Sequence, residues 1–284
     1  MKAAAFDYVK PKALSDALSL LEQGGDDARL IAGGQTLLAT LNMRLSEPSI
    51  LIDITDVAEL KGISVVGDKL RIGALVTHTE IEDSALVAKH APLLKAAAPH
   101  IAHRAIRNLG TWGGSLAYGD PAAEWPACSL TLQATVVIHG PSGERKIAAK
   151  DFFIDLYTTS LEPDEILVAT EIPLATSNQV FYFHELARRH GDYAVAGLAA
   201  VAEKQGGVLS HCAFTFFSVS ATPVMASAAQ DLINGQSLND QLIAQAVASA
   251  REEIDAIADI TNSAEAKTHL IGVLLERGLK HMLA

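Results

Sequence analysis

Two short glycine-rich stretches of matching character constrain this chain more than any other feature. One is Ala32-Gly33-Gly34-Gln35-Thr36, directly after the apolar Leu30 and Ile31. The other is Gly110-Thr111-Trp112-Gly113-Gly114-Ser115, which runs through Ala117 to the polar tail Asp120-Pro121-Ala122-Ala123-Glu124. Adjacent glycines lack Cβ atoms, so they admit positive φ and let backbone N–H groups approach a ligand closely. Successive N–H groups in such a turn form a concave anion site, and flanking hydroxyls add donors. A single Gly-Gly pair reads first as a tight turn. Two of them, each closed by a hydroxyl residue, suit a ligand with two neighbouring phosphates.

The other common sites are missing. No G-x-G-x-x-G follows a strand and no Walker A run exists, which argues against a Rossmann or P-loop nucleotide site. His184-Glu185 would need a histidine at position 188 for a zinc motif, and Arg188 stands there. Ser115 lacks the G-x-S-x-G frame of a nucleophile elbow. The histidines are scattered, His100 and His103 being the closest helical pair, and they offer no third metal ligand. Only Cys128 and Cys212 are present, outside any C-x-x-C pair, so an iron–sulfur cluster or structural zinc has no support on this chain. A net charge of −11 argues against nucleic acid or an anionic membrane as partner. No apolar run is long enough to span a bilayer, and Asp7, Lys10, Pro11 and Lys12 interrupt the place of a signal sequence, so a cytoplasmic location is expected. A phosphate-rich redox cofactor therefore fits better than hydrolysis. FAD offers a pyrophosphate for the glycine stretches and an isoalloxazine that needs apolar walls, and it carries its own redox chemistry. Glu124 is a candidate acceptor for a ribose hydroxyl or adenine amine. Trp112 is a candidate wall, although core packing is its preferred role.

The 284 residues suffice for two or three compact units. Residues 1–58 alternate strand and helix: Phe6–Val9, a helix capped by Ser15 and ended by Gly24-Gly25, Arg29–Ala32, a turn of helix at Leu37–Leu41, and Ser49–Ile54. This order predicts a small α/β unit with a largely parallel sheet. From 59 to 176 the texture changes to short strands (Gly62–Val66, Lys69–Ile72, Ala134–Ile138, Arg145–Ile147, Glu165–Ile172) around an Ala-rich helical stretch, Leu86–His103, and the central glycine loop. Residues 177–284 read as strands followed by two helices, Asp240–Ala258 and Ala264–Met282, an α+β unit.

At the glycine stretches a family resemblance appears. AGGQTLL (32–38) and GTWGGSLAYGDPAAEWPA (110–127) resemble the two flavin-binding signatures of the FAD-carrying medium subunit of molybdenum hydroxylases. That is the group of the carbon monoxide dehydrogenase medium subunit and the xanthine dehydrogenase flavin domain. The likeness runs in order along the whole chain. It implies an α+β architecture: a PCMH-type FAD-binding fold of two α/β subdomains, followed by a C-terminal domain with an antiparallel sheet and helices. It implies non-covalent FAD held by residues 30–36, 110–115, Ala117 and Glu124. It also places Ile101 and Ala102 at the ring system, Leu161 of TTSLEPDEIL on the flavin, and Tyr193 of RRHGDYAV over one flavin face with Asp192 fixing the turn. The implied partners are a large molybdenum-cofactor subunit and a small subunit with [2Fe-2S] clusters, in a heterotrimer or dimer of heterotrimers. No catalytic acid or base is implied here. Departures from the pattern are Trp112 for an aliphatic residue, Ser115 for Asn, Glu124 for Asp, and His184-Glu185 where many members carry Lys. The rival readings are a self-contained flavin oxidoreductase of the vanillyl-alcohol oxidase or MurB type, and an assembly scaffold whose glycine loops are only turns.

Overall fold

The computed structural model describes residues 2–284. Strands β1 (Asp7–Val9), β2 (Ala28–Ile31) and β3 (Ile50–Asp53) form a wholly parallel sheet in the order β1-β3-β2. Parallel neighbours need a crossover, and α1 (Leu14–Gly24) and α2 (Leu37–Asn42) supply the connections. Ser15 does not cap α1. Ala13 holds that place without a side-chain bond, and the free Leu14 N–H donates instead to Glu59 Oε1 at 3.1 Å. The cap comes from a carboxylate far along the chain, which local sequence cannot reveal.

A five-stranded antiparallel sheet follows, with β4 (Ile63–Val66), β5 (Lys69–Gly73), β6 (Thr135–Gly140), β7 (Gly143–Ala148) and, after the small hairpin β8 (Phe153–Asp155) and β9 (Thr158–Thr159), β10 (Ile166–Pro173). Its order is β4-β5-β10-β6-β7. Between β5 and β6 the chain makes α3 (His78–Asp83), α4 (Ala85–His90), α5 (Pro92–Ala97), α6 (Arg104–Arg107), α7 (Trp112–Tyr118) and α8 (Glu124–Thr131). Thr77 opens α3 with a full capping box to Glu80. The single helical stretch expected over 86–103 is broken into pieces, because Pro92 and Pro99 cannot donate to a preceding turn and suit only a first helical position. His100 and His103 consequently lie off any common helix.

The last sheet is antiparallel in the order β11 (Gln179–Leu186), β12 (Ala196–Gln205), β13 (Val208–Phe217), β14 (Val224–Met225), with β15 (Gln236–Ser237) also on β13. Helices α9 (Ser227–Ile233), α10 (Asp240–Glu253) and α11 (Ala264–Leu283) belong to this half of the chain. The sheet is buried on both faces. Phe183, Ala199 and Phe217 join the core of the first two sheets, whereas Leu198, Ala200 and Phe216 point to the core shared with α9, α10 and α11. Alternation along a strand produces that division. α8 packs on β12 and β13 and so ties the central glycine stretch to the final sheet. α10 ends at Glu253, short of the expected Ala258. Among the described residues no helix is long and apolar enough to cross a membrane.

Candidate functional site

The two glycine stretches meet. A Cβ on Gly33 would stand 1.9 Å from the Leu109 carbonyl oxygen and 2.9 Å from Gly110 Cα, so only glycine permits this contact. A Cβ on Gly114 would lie 3.9 Å from Ala32 Cβ, which sets the start of α7 beside the first loop. Leu30 and Ile31, both partly buried, carry that loop off the edge strand β2. Gly34 takes the left-handed backbone, φ +68°. The backbone N–H groups of Ala32, Gly33, Gly34, Gln35, Thr36 and Leu37 make no hydrogen bond within the described residues, and Gln35 folds its amide onto the Gly33 carbonyl at 2.9 Å. Unpaired N–H groups in sequence are what an anion nest consists of.

The second stretch is built differently from the loop its sequence predicts. Gly113 and Gly114 lie in the first turn of α7, and neither has positive φ. Their donors are occupied. Gly113 N–H bonds the Ala74 carbonyl at 2.8 Å, Trp112 N–H bonds Val76 at 2.8 Å, and Gly114 N–H bonds Oγ1 of the capping Thr111 at 3.2 Å. Ser115 N–H bonds the Thr111 carbonyl at 3.1 Å. These amides therefore form no second nest, which corrects the paired-loop reading of residues 110–115. Glycine is needed here for close packing. A Cβ on Gly113 would meet Ala74 Cβ at 2.5 Å, and one on Gly110 would meet His78 Nε2 at 2.6 Å. Gly114 and Ala117 are the exposed residues of this stretch, and Ser115 is partly buried.

Trp112 is corrected as a ligand wall. Its indole is fully buried, donates from Nε1 to Thr170 Oγ1 at 2.8 Å, and packs 5.2 Å from the Trp125 ring. Trp125 in turn donates to His78 Nδ1 at 2.9 Å, so His78 is neutral with its proton on Nε2. Burial first, and the Arg107 guanidinium second, hold His78 down at about 4.

Ile101 is buried and Ala102 adopts φ +42°. Arg107 fixes both by donating to their carbonyls, each at 3.0 Å, while its Nε bonds Glu82 at 2.8 Å. The Arg188–Tyr193 turn rests on this segment, since a Cβ on Gly191 would lie 2.9 Å from the His103 ring and 3.3 Å from Ala102. Asp192 holds the turn through Arg189 Nε at 3.4 Å. Tyr193 is 69% exposed, which excludes the half-buried core role. Leu161 is partly buried against the core just after the β8–β9 hairpin, whose Thr159 covers Gly119. Asp120 is raised above the usual carboxylate range by burial. Glu124 opens α8, and burial followed by the like charge of Glu185 pushes it up to about 8. Glu185, on β11, is absent from the predicted set. Its charge acts on Glu124 only through the tertiary fold.

A cavity of about 430 Å³ is bordered by Asp120, Tyr157, Tyr193, Ser218 and Lys267, at the junction of these elements. A recess of about 540 Å³ between the end of α10 and the start of α11 contains none of the candidate residues. Among the described residues no cluster of His, Cys, Asp and Glu is arranged to hold a metal ion.

Comparison with known proteins gives the same outline. Residues 4–175 match the family described as the FAD binding domain in molybdopterin dehydrogenase, and residues 181–282 match the CO dehydrogenase flavoprotein C-terminal domain. The nicotine 6-hydroxylase medium subunit of Paenarthrobacter nicotinovorans is 39% identical over 277 residues, covering 98% of this chain and 97% of that protein. Carbon monoxide dehydrogenase from Hydrogenophaga pseudoflava, solved without the Mo-pyranopterin moiety of its molybdenum cofactor, superposes with a TM-score of 0.97 at 35% identity, covering 99% and 98% of the two chains. Quinoline 2-oxidoreductase from Pseudomonas putida 86 superposes with a TM-score of 0.95 at 37% identity, covering 100% and 98%. The chain thus belongs to the FAD-binding medium-subunit family of the molybdenum hydroxylases, and is an oxidoreductase subunit.

Proposed function

We propose that this chain is the electron-transfer subunit of a three-component molybdenum hydroxylase, with non-covalent FAD in the cleft between the two glycine stretches. The run of free N–H groups from Ala32 to Leu37, held against Leu109 and Gly110, carries this reading. Such an array fits a diphosphate without a cation, because backbone dipoles supply the positive potential. Gln35, Thr36 and Ser115 add side-chain donors at its rim. Glu124 would take the adenosine end. Ile101, Ala102, Leu161 and Tyr193 would bound the ring, with Asp192 holding the turn that carries Tyr193. The surface of α7 at Gly114 and Ala117 would lie along the cofactor, while Trp112 stiffens that helix from beneath. FAD held by these residues would supply the redox chemistry, and the chain would thereby link iron–sulfur clusters on a small subunit to an external acceptor.

The partners in this reading are a large molybdenum-cofactor subunit and a small iron–sulfur subunit in a cytoplasmic heterotrimer. The division of labour would follow 1–58 and 59–176 for the cofactor and 177–284 for the C-terminal domain. The test is an absorbance spectrum with acid release of cofactor, on the chain alone and on complex purified from its host. Released FAD, with molybdenum and iron only in the complex, is the expected result. Absence of flavin from both samples would refute it. Flavin reduction by a small substrate without partner subunits would indicate a self-contained oxidoreductase instead.

A further inference from the structure

Four large apolar side chains that folding would ordinarily cover border one cavity. Leu156, Tyr157, Tyr193 and Ile257 are each 50–69% exposed, and all four line the recess of about 430 Å³ where the β8–β9 hairpin, the Arg188–Tyr193 turn and the 257–262 loop meet. That volume falls in the usual range of small-molecule pockets, and exposed apolar surface gathered in one place marks a binding face. The walls are firmly held. Ser218, at φ +61°, ties three segments together: its N–H donates to the Pro121 carbonyl at 2.7 Å, its hydroxyl donates to the Ala194 carbonyl, and its own carbonyl accepts from Lys267 Nζ at 2.8 Å. Tyr157 also takes the left-handed backbone, φ +53°. A side chain of that size keeps such a conformation only where its surroundings impose it.

The lining also limits what can enter. Its charged groups are the carboxyls of Asp120, Asp192 and Asp259 and two cations. Lys267 is bound to Asp259 at 2.9 Å and Arg188 pairs with Asp192 at 3.7 Å, so the lining has no unpaired cation to hold a phosphate or carboxylate. The hydroxyls of Tyr157, Tyr193 and Ser220 are donors suited to carbonyl oxygens. A flat, uncharged, apolar molecule with carbonyl oxygens matches this set. Of the residues assigned to the cofactor, Asp192 and Tyr193 alone line the cavity, which makes Tyr193 a wall common to both sites.

We propose that this cavity is the seat of an uncharged quinone, the electron acceptor of the subunit. The acceptor role rests on the function proposed above; the seat itself rests on the cavity. The quinone takes two electrons and two protons from the fully reduced cofactor, gains an O–H bond at each oxygen and leaves as the quinol, while the cofactor returns to its oxidised form. A nicotinamide dinucleotide, which carries two phosphates, finds no cation here to bind it.

Calorimetric titration of the cofactor-free chain with duroquinone tests the seat, since a fully substituted ring cannot alkylate a cysteine. One molecule should bind per chain, and NAD should not bind. Ala258→Trp, which adds an indole at an exposed position on the lining, should weaken duroquinone about tenfold, because the pocket must be reopened for the ligand. Leu156→Ser should weaken it several-fold through lost apolar contact. No binding, or binding indifferent to both variants, would overturn the seat. NAD bound with the same sensitivity to the variants would overturn the ligand class. Binding by the free chain but not by the assembled complex would reveal a subunit interface and likewise overturn the proposal. In flavin-containing complex reduced anaerobically with dithionite, reoxidation by subsaturating duroquinone should slow to a similar degree in Ala258→Trp, and an unchanged rate would overturn the acceptor role. A complex without flavin would instead refute the cofactor assignment and leave the calorimetry to decide the seat.

Discussion

Gly33→Ala is the most direct test of how the cleft is assembled. The added Cβ would meet the Leu109 carbonyl oxygen at 1.9 Å, where ordinary contact begins at 3.4 Å, so the two segments must separate by 1.5 Å. The obstacle is backbone, which cannot rotate away as a side chain would. Overpacking of this kind costs about 1–3 kcal/mol. If that strain is relieved by opening the cleft, it appears as a loss of cofactor affinity of about 5- to 150-fold, at about 1.4 kcal/mol per decade. The assay is fluorescence quenching of FAD by apoprotein, with thermal unfolding run in parallel. Gly207→Ala serves as the control. Its Cβ would meet nothing within 4 Å, and both affinity and stability should be unchanged. Wild-type affinity and melting temperature in Gly33→Ala would refute the close-contact argument.

Trp112→Phe should destabilise the protein by about 1–3 kcal/mol, because Thr170 Oγ1 loses its buried donor, while the bound-flavin spectrum keeps its band positions; a shifted spectrum would put Trp112 at the ring after all. His78 binds its proton more weakly folded than unfolded, so stability should fall as pH drops from 6.5 toward about 4. The slope is at most about 1.4 kcal/mol per pH unit. His78→Asn, which keeps an acceptor for Trp125, should flatten that limb in denaturant titrations, and an unchanged slope would count against the neutral-histidine assignment. Lys267, 5% exposed, donates to the Ser218 carbonyl at 2.8 Å and pairs with Asp259 at 2.9 Å. Lys267→Met should cost about 1–3 kcal/mol and speed hydrogen exchange in residues 257–262; uniform exchange would show that the loop is held by other contacts.

Much of this was legible because the informative signals are local. Strand and helix periods gave the parallel N-terminal unit, and the pair Gly33-Gly34 marked a donor array. Where sequence reading failed, the competing term was tertiary. Gly113-Gly114 looks like a loop by propensity, yet the Thr111 cap and the backbone bonds to Ala74 and Val76 hold it in a helix. The Ser15 cap lost to Glu59, a residue from another element. Glu185 carries no local mark distinguishing it from any strand carboxylate with a polar face. Its burial depends on Phe217 folding over Gly197.

The position of β2 at the rim of its sheet has a consequence for how the unliganded protein survives in solution. A strand with one open side is a template for pairing with another chain, and here the open side continues directly into the unpaired amides of Ala32 to Leu37. Two devices limit the hazard: the strand has only four residues, and Arg29 curls back onto the carbonyls of Asp26 and Ala28. The amides beyond Ile31 have no such cover of their own. A ligand that occupies them would act as a molecular guard against self-association, so cofactor supply during synthesis would govern how much of the chain reaches assembly rather than aggregate.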